Sequence, residues 1–133
     1  MKIAITGPSG QIGVSLIKEL LQSGHEVEAL VYDSKKGLEN LPITMMNGNI
    51  LNPEDCNTLC NKKQAVFHLA AYVSITKDLE EVWDTNVNGT RNILNACVKY
   101  RIKKLIHFSS VHAYNVHPVN EPLDETRALL TVC

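Results

Sequence analysis

Residues 2 to 13 read Lys2-Ile3-Ala4-Ile5-Thr6-Gly7-Pro8-Ser9-Gly10-Gln11-Ile12-Gly13. An apolar run breaks into a turn with glycine at every third position and then opens a helical pattern. This order predicts a buried strand, a tight turn and a helix N-terminus in succession. Backbone N–H groups at such an end lack intrahelical partners, and the positive end of the helix dipole favours an anion there. The stretch therefore implies a cradle for the pyrophosphate of a dinucleotide. Gly7 would permit the tight turn, Gly10 the close approach of the ligand and Gly13 the packing of helix on strand, with Ser9, Gln11 and Ile12 completing the cradle. The spacing is T-G-x-x-G-x-x-G, and no Lys-Ser/Thr pair follows Gly10 or Gly13, which excludes a P-loop.

Outward from this turn, strand-like apolar runs alternate with helical patterns, the signature of an α/β fold with a parallel sheet. The patterning predicts strands over Lys2 to Thr6, Glu26 to Tyr32, Thr44 to Asn47, Ala65 to Ala70 and Lys104 to Ser110. A first helix is expected from Gln11 to Ser23, with Ile12, Leu16, Leu20 and Leu21 on its buried stripe and Gly24 as its C-terminal cap. A second runs from Pro53 to about Asn61 behind the N-cap Asn52. A long third runs from Leu79 to Tyr100, with Trp83, Val87, Thr90, Leu94 and Cys97 on one face. The tail beyond the fifth strand is polar, with a turn at Glu121 to Arg127. No repeat, low-complexity tract or linker divides the chain.

The chain has 133 residues, the length of one domain with a substantial core, and thirteen basic against fourteen acidic residues leave a formal charge of −1. No basic run, acidic tail or membrane-length apolar stretch is present, so neither a nucleic-acid nor a membrane partner is expected. Cys56, Cys60, Cys97 and Cys133 show no zinc spacing, so no metal site is expected. Cys56 and Cys60 read as packing thiols on the second helix. With no signal-peptide pattern, a reduced, cytoplasmic protein is the expectation.

Several segments occur in order over nearly the whole chain: the TGPSGQIG turn, Gly48-Asn49-Ile50, Val66-Phe67-His68-Leu69-Ala70-Ala71, Asn86-Val87-Asn88-Gly89-Thr90-Arg91-Asn92 and His107-Phe108-Ser109-Ser110. On these residues the chain resembles the N-terminal portion of the extended short-chain dehydrogenase/reductase family, which includes sugar-nucleotide epimerases, dehydratases and dihydroflavonol-reductase-like enzymes. The resemblance implies a Rossmann-type doubly wound parallel sheet of strand order 3-2-1-4-5, binding NAD or NADP. It implies that Gly7, Gly10 and Gly13 hold the pyrophosphate. Asn49, followed by Ile50, would accept a hydrogen bond from the adenine amine, unless it is simply a turn residue. Leu69, Ala70 and Ala71 would pass beneath the cofactor, although small residues at a packed strand end explain them equally well.

Ser110, with Ser109 as its competitor, matches the hydroxyl that bonds a substrate carbonyl or alcohol beside the nicotinamide. A backbone-satisfied strand-end serine is the plainer reading. Gly89, inside a predicted helix, requires a close neighbour, read here as a backbone contact with the sheet. Cofactor choice stays open: Asp33 lies where a ribose-binding acid belongs, whereas Tyr32 stands where NADP-using relatives often carry Arg, and Lys36 with Lys35 could meet a 2′-phosphate.

The family's proton donor is a Tyr with a Lys four residues later, placed beyond the fifth strand. Tyr32–Lys36 and Tyr100–Lys104 have the spacing but precede Ser110, and Tyr114 is followed by Pro118. The chain is therefore expected to be an incomplete NAD(P)-binding domain over residues 1–133, without the substrate domain and inactive alone. It would be part of an enzyme moving hydride between nicotinamide and a carbonyl or alcohol. The alternatives are a non-enzymatic NAD(P)-binding regulatory module and a degenerate remnant. An exposed fifth strand would invite self-association. The segment Ser74 to Asp78 leans toward the dihydroflavonol-reductase-like branch and ketone reduction.

Overall fold

The first strand, β1 (Lys2–Thr6), is buried at every position after Lys2 and forms the centre of a five-stranded parallel sheet. The computed structural model describes residues 1–74, 79–115, 117, 120 and 122–130. The other strands are β2 (Glu26–Val31), β3 (Thr44–Asn47), β4 (Ala65–His68) and β5 (Lys104–His107). Their order is β3-β2-β1-β4-β5, as expected for a doubly wound Rossmann-type sheet. Chain direction reverses about β1: the chain first builds outward through β2 and β3, then returns to the other side of β1 with β4. Ligands bind at such switch points, beyond the carboxyl ends of the strands.

Helix α1 (Gln11–Gln22) covers one face, and its Ile17 and Leu20 join Ile3, Ile5, Val27 and Ala29 in one core cluster. Helices α2 (Pro53–Cys60) and α4 (Thr90–Lys99) cover the other face, where Leu59, Cys60, Ile93, Ala96 and Cys97 pack on Ala4, Leu30 and Val66. The ends of the first two helices follow their sequence signals. Gly24 takes φ +74 after α1, its N–H donates to Leu21 O at 3.0 Å, and His25 N–H donates to Leu20 O at 2.9 Å, which satisfies two otherwise orphaned carbonyls. At the start of α2 the Asn52 side chain accepts the Glu54 N–H. Cys56, Cys60 and Cys97 are free and buried. Burial, and then the neighbouring Asp55 carboxylate, push the Cys56 thiol up to about 11. The hydrogen bond it shares with Cys97, together with burial, raises Cys60 further and keeps it protonated. Cys133 lies outside the described residues.

The structure departs from the expected pattern in several places. Ile12 is exposed, on the first turn of the helix at the mouth of the cleft described below, and Ile17 joins the core instead. β2 stops at Val31, β4 at His68 and β5 at His107, each short of its expected end, and after β4 and β5 the chain leaves the ladder for the same cleft. The expected long helix is three joined pieces: α3 (Leu79–Trp83), a π-helical segment (Asp84–Gly89) and α4. A π turn carries one more residue per turn than an α turn, which rotates everything beyond it. The buried stripe therefore runs through Gly89, Ile93, Ala96 and Cys97, while Trp83 and Leu94 are 56% and 46% exposed.

After β5 comes a single 3₁₀ turn (Val111–Ala113), and the tail folds back so that Tyr114 bridges Leu129. Arg127 N–H donates to Asp124 O, closing the expected turn; Glu121, Pro118 and the segment from residue 75 to 78 lie outside the described residues. No helix among the described residues is long and apolar enough to cross a membrane.

Gly89 is answered by a side chain rather than by sheet backbone. A Cβ there would lie 2.5 Å from Ile50 Cδ1 and 2.8 Å from its Cγ1. Gly89→Ala is thus expected to destabilise by about 1–2 kcal/mol despite a helix-propensity gain of about 1 kcal/mol. Adding Ile50→Val, which removes Cδ1, should recover part of that loss. Urea denaturation of the two single variants and the double variant checks the coupling.

Candidate functional site

The site grows from the β1–α1 turn. Gly7 has φ +68, and a Cβ on it would lie 2.7 Å from Ala70 N and 2.8 Å from Leu69 C. Only glycine lets the turn lie so close to the chain leaving β4. A Cβ on Gly13 would run into the carbonyl oxygens of Gly7 and Pro8. Gly10 differs from both: its Cβ would meet nothing nearer than Gly7 O at 3.5 Å, so its absence keeps a face of backbone open. Gly10 is the N-cap residue of α1, no side chain caps that end, and its first turn contains no acid. An uncapped helix N-terminus behind an open glycine face suits a phosphate group.

A buried imidazole holds this turn to the rest of the sheet. His68, at the end of β4, is fully buried, and its register partner on β1 is Thr6. Thr6 Oγ1 lies 2.6 Å from His68 Nδ1 and also accepts the Ala70 N–H at 3.2 Å. On the other side His68 Nε2 lies 2.9 Å from Thr90 Oγ1 at the start of α4. A neutral imidazole has one donor and one acceptor, and a hydroxyl can serve either role, so either tautomer completes the chain. Burial, and then the neighbouring His107, depress the His68 pKa to about 4. The His107 ring stacks on that of His68 with centroids 5.3 Å apart.

Above this network lies a cleft of about 560 Å³ at the carboxyl ends of β1, β4 and β5. Gly7, Gly10, Gln11, Ile12 and Gly13 form one wall, Leu69, Ala70 and Ala71 the floor, and Ser109 and Ser110 the wall after β5. The remaining residues singled out in the sequence lie elsewhere. Ser9, Tyr32, Asp33 and Lys36 do not line the cleft, and Tyr32 is 74% exposed just past β2. Asn49 Oδ1 accepts the Leu51 N–H at 2.9 Å and its own N–H donates to Asp55, so its side-chain oxygen works as a turn acceptor. Ile50 is buried beneath Gly89. Ser110 Oγ accepts the His112 N–H at 3.2 Å and lies 3.1 Å from His112 Nδ1.

The cleft also takes residues that the sequence reading did not assign to it, among them Val73, Thr90, His107 and Phe108. Asn86 lines it too, and clamps the loop after β4: its Oδ1 accepts the Tyr72 N–H at 2.8 Å and its Nδ2 donates to Tyr72 O at 2.9 Å. Asn86 sits within the π-helical segment, whose wider turn sets where it points. The Asn-x-x-Gly-Thr spacing was the available signal, since within five residues it carries the clamp Asn86, the small residue Gly89 over Ile50 and the His68 partner Thr90.

A parallel sheet of this order, with a glycine turn and an uncapped helix end at its switch point, defines a Rossmann-type dinucleotide-binding protein. The model of the NAD dependent epimerase/dehydratase family matches residues 3–131, and the chain belongs to that family. It is 38% identical over 125 residues to a Synechocystis sp. protein provisionally named dihydroflavonol 4-reductase, covering 92% of this chain and 36% of that one. It is 37% identical over 121 residues to a UDP-N-acetyl-alpha-D-glucosaminuronate decarboxylase of Bacillus cytotoxicus, covering 83% of this chain and 36% of that one. Among solved structures, UDP-glucose 4-epimerase of Thermotoga maritima superposes with TM-score 0.87 at 26% identity, over 99% of this chain and 45% of the epimerase. The NAD complex of the Thermus thermophilus UDP-glucose 4-epimerase gives 0.83 at 27%, over 98% and 44%. The chain thus spans about two-fifths of the length of these relatives.

The His68 network has a pH signature. The folded-state pKa lies below the unfolded value of 6.5, so the unfolded chain binds the extra proton more readily. This contribution to stability is complete above pH 6.5 and is lost as pH falls toward 4, amounting to about 3 kcal/mol at most. Chemical denaturation between pH 7 and 4 should show a steeper loss for the native protein than for His68→Gln.

Proposed function

We propose that the chain is the dinucleotide-binding portion of an NAD(P)-dependent oxidoreductase acting on a carbonyl or alcohol. The observation that carries this reading is the open Gly10 face at the uncapped N-terminus of α1, directed into a cleft that ends at Ser109 and Ser110. The backbone N–H groups of the first turn of α1 would hold the pyrophosphate. Leu69, Ala70 and Ala71 would support the ribose side, their backbone fixed by Thr6 Oγ1 and by contact with Gly7. When bound, the dinucleotide supplies hydride transfer at its nicotinamide. Ser110 Oγ would meet the substrate oxygen, with His112 Nδ1 beside it to hold the hydroxyl in place.

No Tyr-x-x-x-Lys pair follows Ser110 within these 133 residues, so these residues do not themselves supply general acid/base help worth about 10²–10⁴, and binding without turnover is expected of them alone. Tyr32, Asp33 and Lys36 stand beyond the end of β2, and titration with both dinucleotides decides between NAD and NADP. β5 pairs only with β4 among the described residues, and we propose that its free edge drives self-association. Sedimentation should show mass rising with concentration, and a clean monomer throughout would count against it.

Gly10→Ala separates binding from folding. The added methyl has room within the protein, so stability should change by less than about 1 kcal/mol, while it projects where the phosphates would lie. NADH and NADPH fluorescence titrations should show at least one tight complex, weakened tenfold or more in the variant. Failure of both dinucleotides to bind the native chain would end this reading.

A further inference from the structure

The end of the sheet remote from the cleft carries a charge pattern that dinucleotide binding does not use. β1, β4 and β5 enter the sheet side by side there: Gln64 N–H donates to Lys2 O at 2.9 Å, Lys103 N–H donates to Gln64 O at 3.1 Å, and Lys104 pairs with Ala65. The turn after α2 brings Lys62 and Lys63 to this end. The turn after α4 brings Lys99, Arg101, Lys103 and Lys104. With Lys2, these make seven of the thirteen basic residues of a chain whose formal charge is −1. Two carboxylates accompany them: Glu28 lies 2.7 Å from Lys63 Nζ, and Glu26 lies 3.8 Å from Lys2 Nζ. The other five cations carry no salt bridge among the described residues.

Backbone conformation gives a second, independent observation. Gly7, Gly24 and Gly37 occupy the left-handed region, as glycine does without strain. Two other residues lie there, Lys62 at φ 59 and Arg101 at φ 53, and both belong to this cationic end. Arg101 terminates α4 as glycine usually would, its N–H donating to Val98 O and the Ile102 N–H to Cys97 O. A cation near a helix C-terminus does gain from the dipole. Lys99 already occupies that last turn, so the dipole does not require a strained cation at position 101 as well. Strain retained where glycine would relieve it points to a use for the side chain.

We propose that this end of the sheet is a docking face for an anionic lipid surface. Adjacent parallel strands lie about 5 Å apart, so the three entries set the cations in a flat row rather than in a groove. Tyr100, the aromatic residue of these turns, is half-buried with Lys99 Nζ 5.5 Å from its ring centre, so these turns present no fully exposed aromatic ring of the kind on which single-stranded bases stack. Met1, at the same end, is 57% exposed and offers an apolar side chain beside the cations. The cations come from three separate segments, which is why no basic run marks them in the sequence. The absence of a membrane-length helix does not bear on attachment by charge.

The test is flotation of the 133-residue chain with phosphatidylcholine vesicles containing about 30% phosphatidylserine, against vesicles of phosphatidylcholine alone. Binding is expected to the anionic vesicles only, and to disappear above about 0.3 M salt. Arg101→Glu with Lys103→Glu should weaken it at least tenfold, while Lys18→Glu, on α1, should leave it unchanged. Arg101→Gly guards against a folding artefact, because it should raise the melting temperature and yet weaken vesicle binding. The proposal is overturned by no binding to anionic vesicles, by equal binding to neutral ones, or by equal loss in Lys18→Glu. Tighter binding to a single-stranded RNA oligomer than to the vesicles would overturn it too.

Discussion

The contact on which the site depends is the approach of Gly7 to the peptide joining Leu69 and Ala70, where a single methyl group would lie 2.7 Å from Ala70 N. It brings the turn after β1 against the chain leaving β4, so the helix end and the cleft floor share one boundary. That closeness needs β1 and β4 to be neighbours, which the reversal of strand order provides. It also needs their carboxyl ends held in register. The Thr6–His68 bond does this, with Thr6 Oγ1 taking the Ala70 N–H as well. A backbone-to-backbone contact tolerates little movement, because a close-packed interior has no free space into which either strand could shift.

The imidazole extends the same constraint to the helical layer. His68 bonds a hydroxyl on β1 and another on α4, so one fully buried side chain joins the glycine turn, the central sheet and the helix beneath the cleft. A hydrocarbon of similar size could fill the space but could not receive the two hydroxyls, leaving the buried Thr6 Oγ1 with the Ala70 N–H alone and Thr90 Oγ1 without its imidazole partner. The arrangement is stable while the ring is neutral, and burial favours that form. Asn86 acts on the opposite side of the cleft in a similar way, replacing a missing strand partner for Tyr72 with its own amide.

How much of this was legible in the sequence follows from the range of each interaction. The strand-turn-helix at residues 2 to 13, the Asn52 cap and the Gly24 stop depend on neighbours in the chain, and they stand where local patterning puts them. The cleft residues nearest the glycine turn were legible for the same reason. The π-helical segment was not, since its composition is that of an ordinary helix and only packing against Ile50 and Tyr72 reveals the added width. Periodicity read across it therefore put Trp83 and Leu94 on the buried face. The Thr6–His68–Thr90 chain was equally hidden, because its members lie 62 and 22 residues apart. Asn49 shows a third limit: a side chain that could accept a bond from a ligand already accepts one from its own loop.

The two ends of the sheet then follow different physical demands. At the carboxyl ends, close approach of backbone selects glycine at positions 7 and 13, and side-chain substitution there is forbidden by neighbouring carbonyls and peptide atoms. At the opposite end the left-handed positions after α2 and α4 would be relaxed by glycine, yet carry Lys62 and Arg101. Strain is thus absent where shape alone matters and retained where charge is displayed. A chain shaped only for stability would place glycine at all four positions. Glycine does stand at the equivalent position after α1, Gly24, so at this end of the sheet only the turns after α2 and α4 retain the strain, and each does so with a cation.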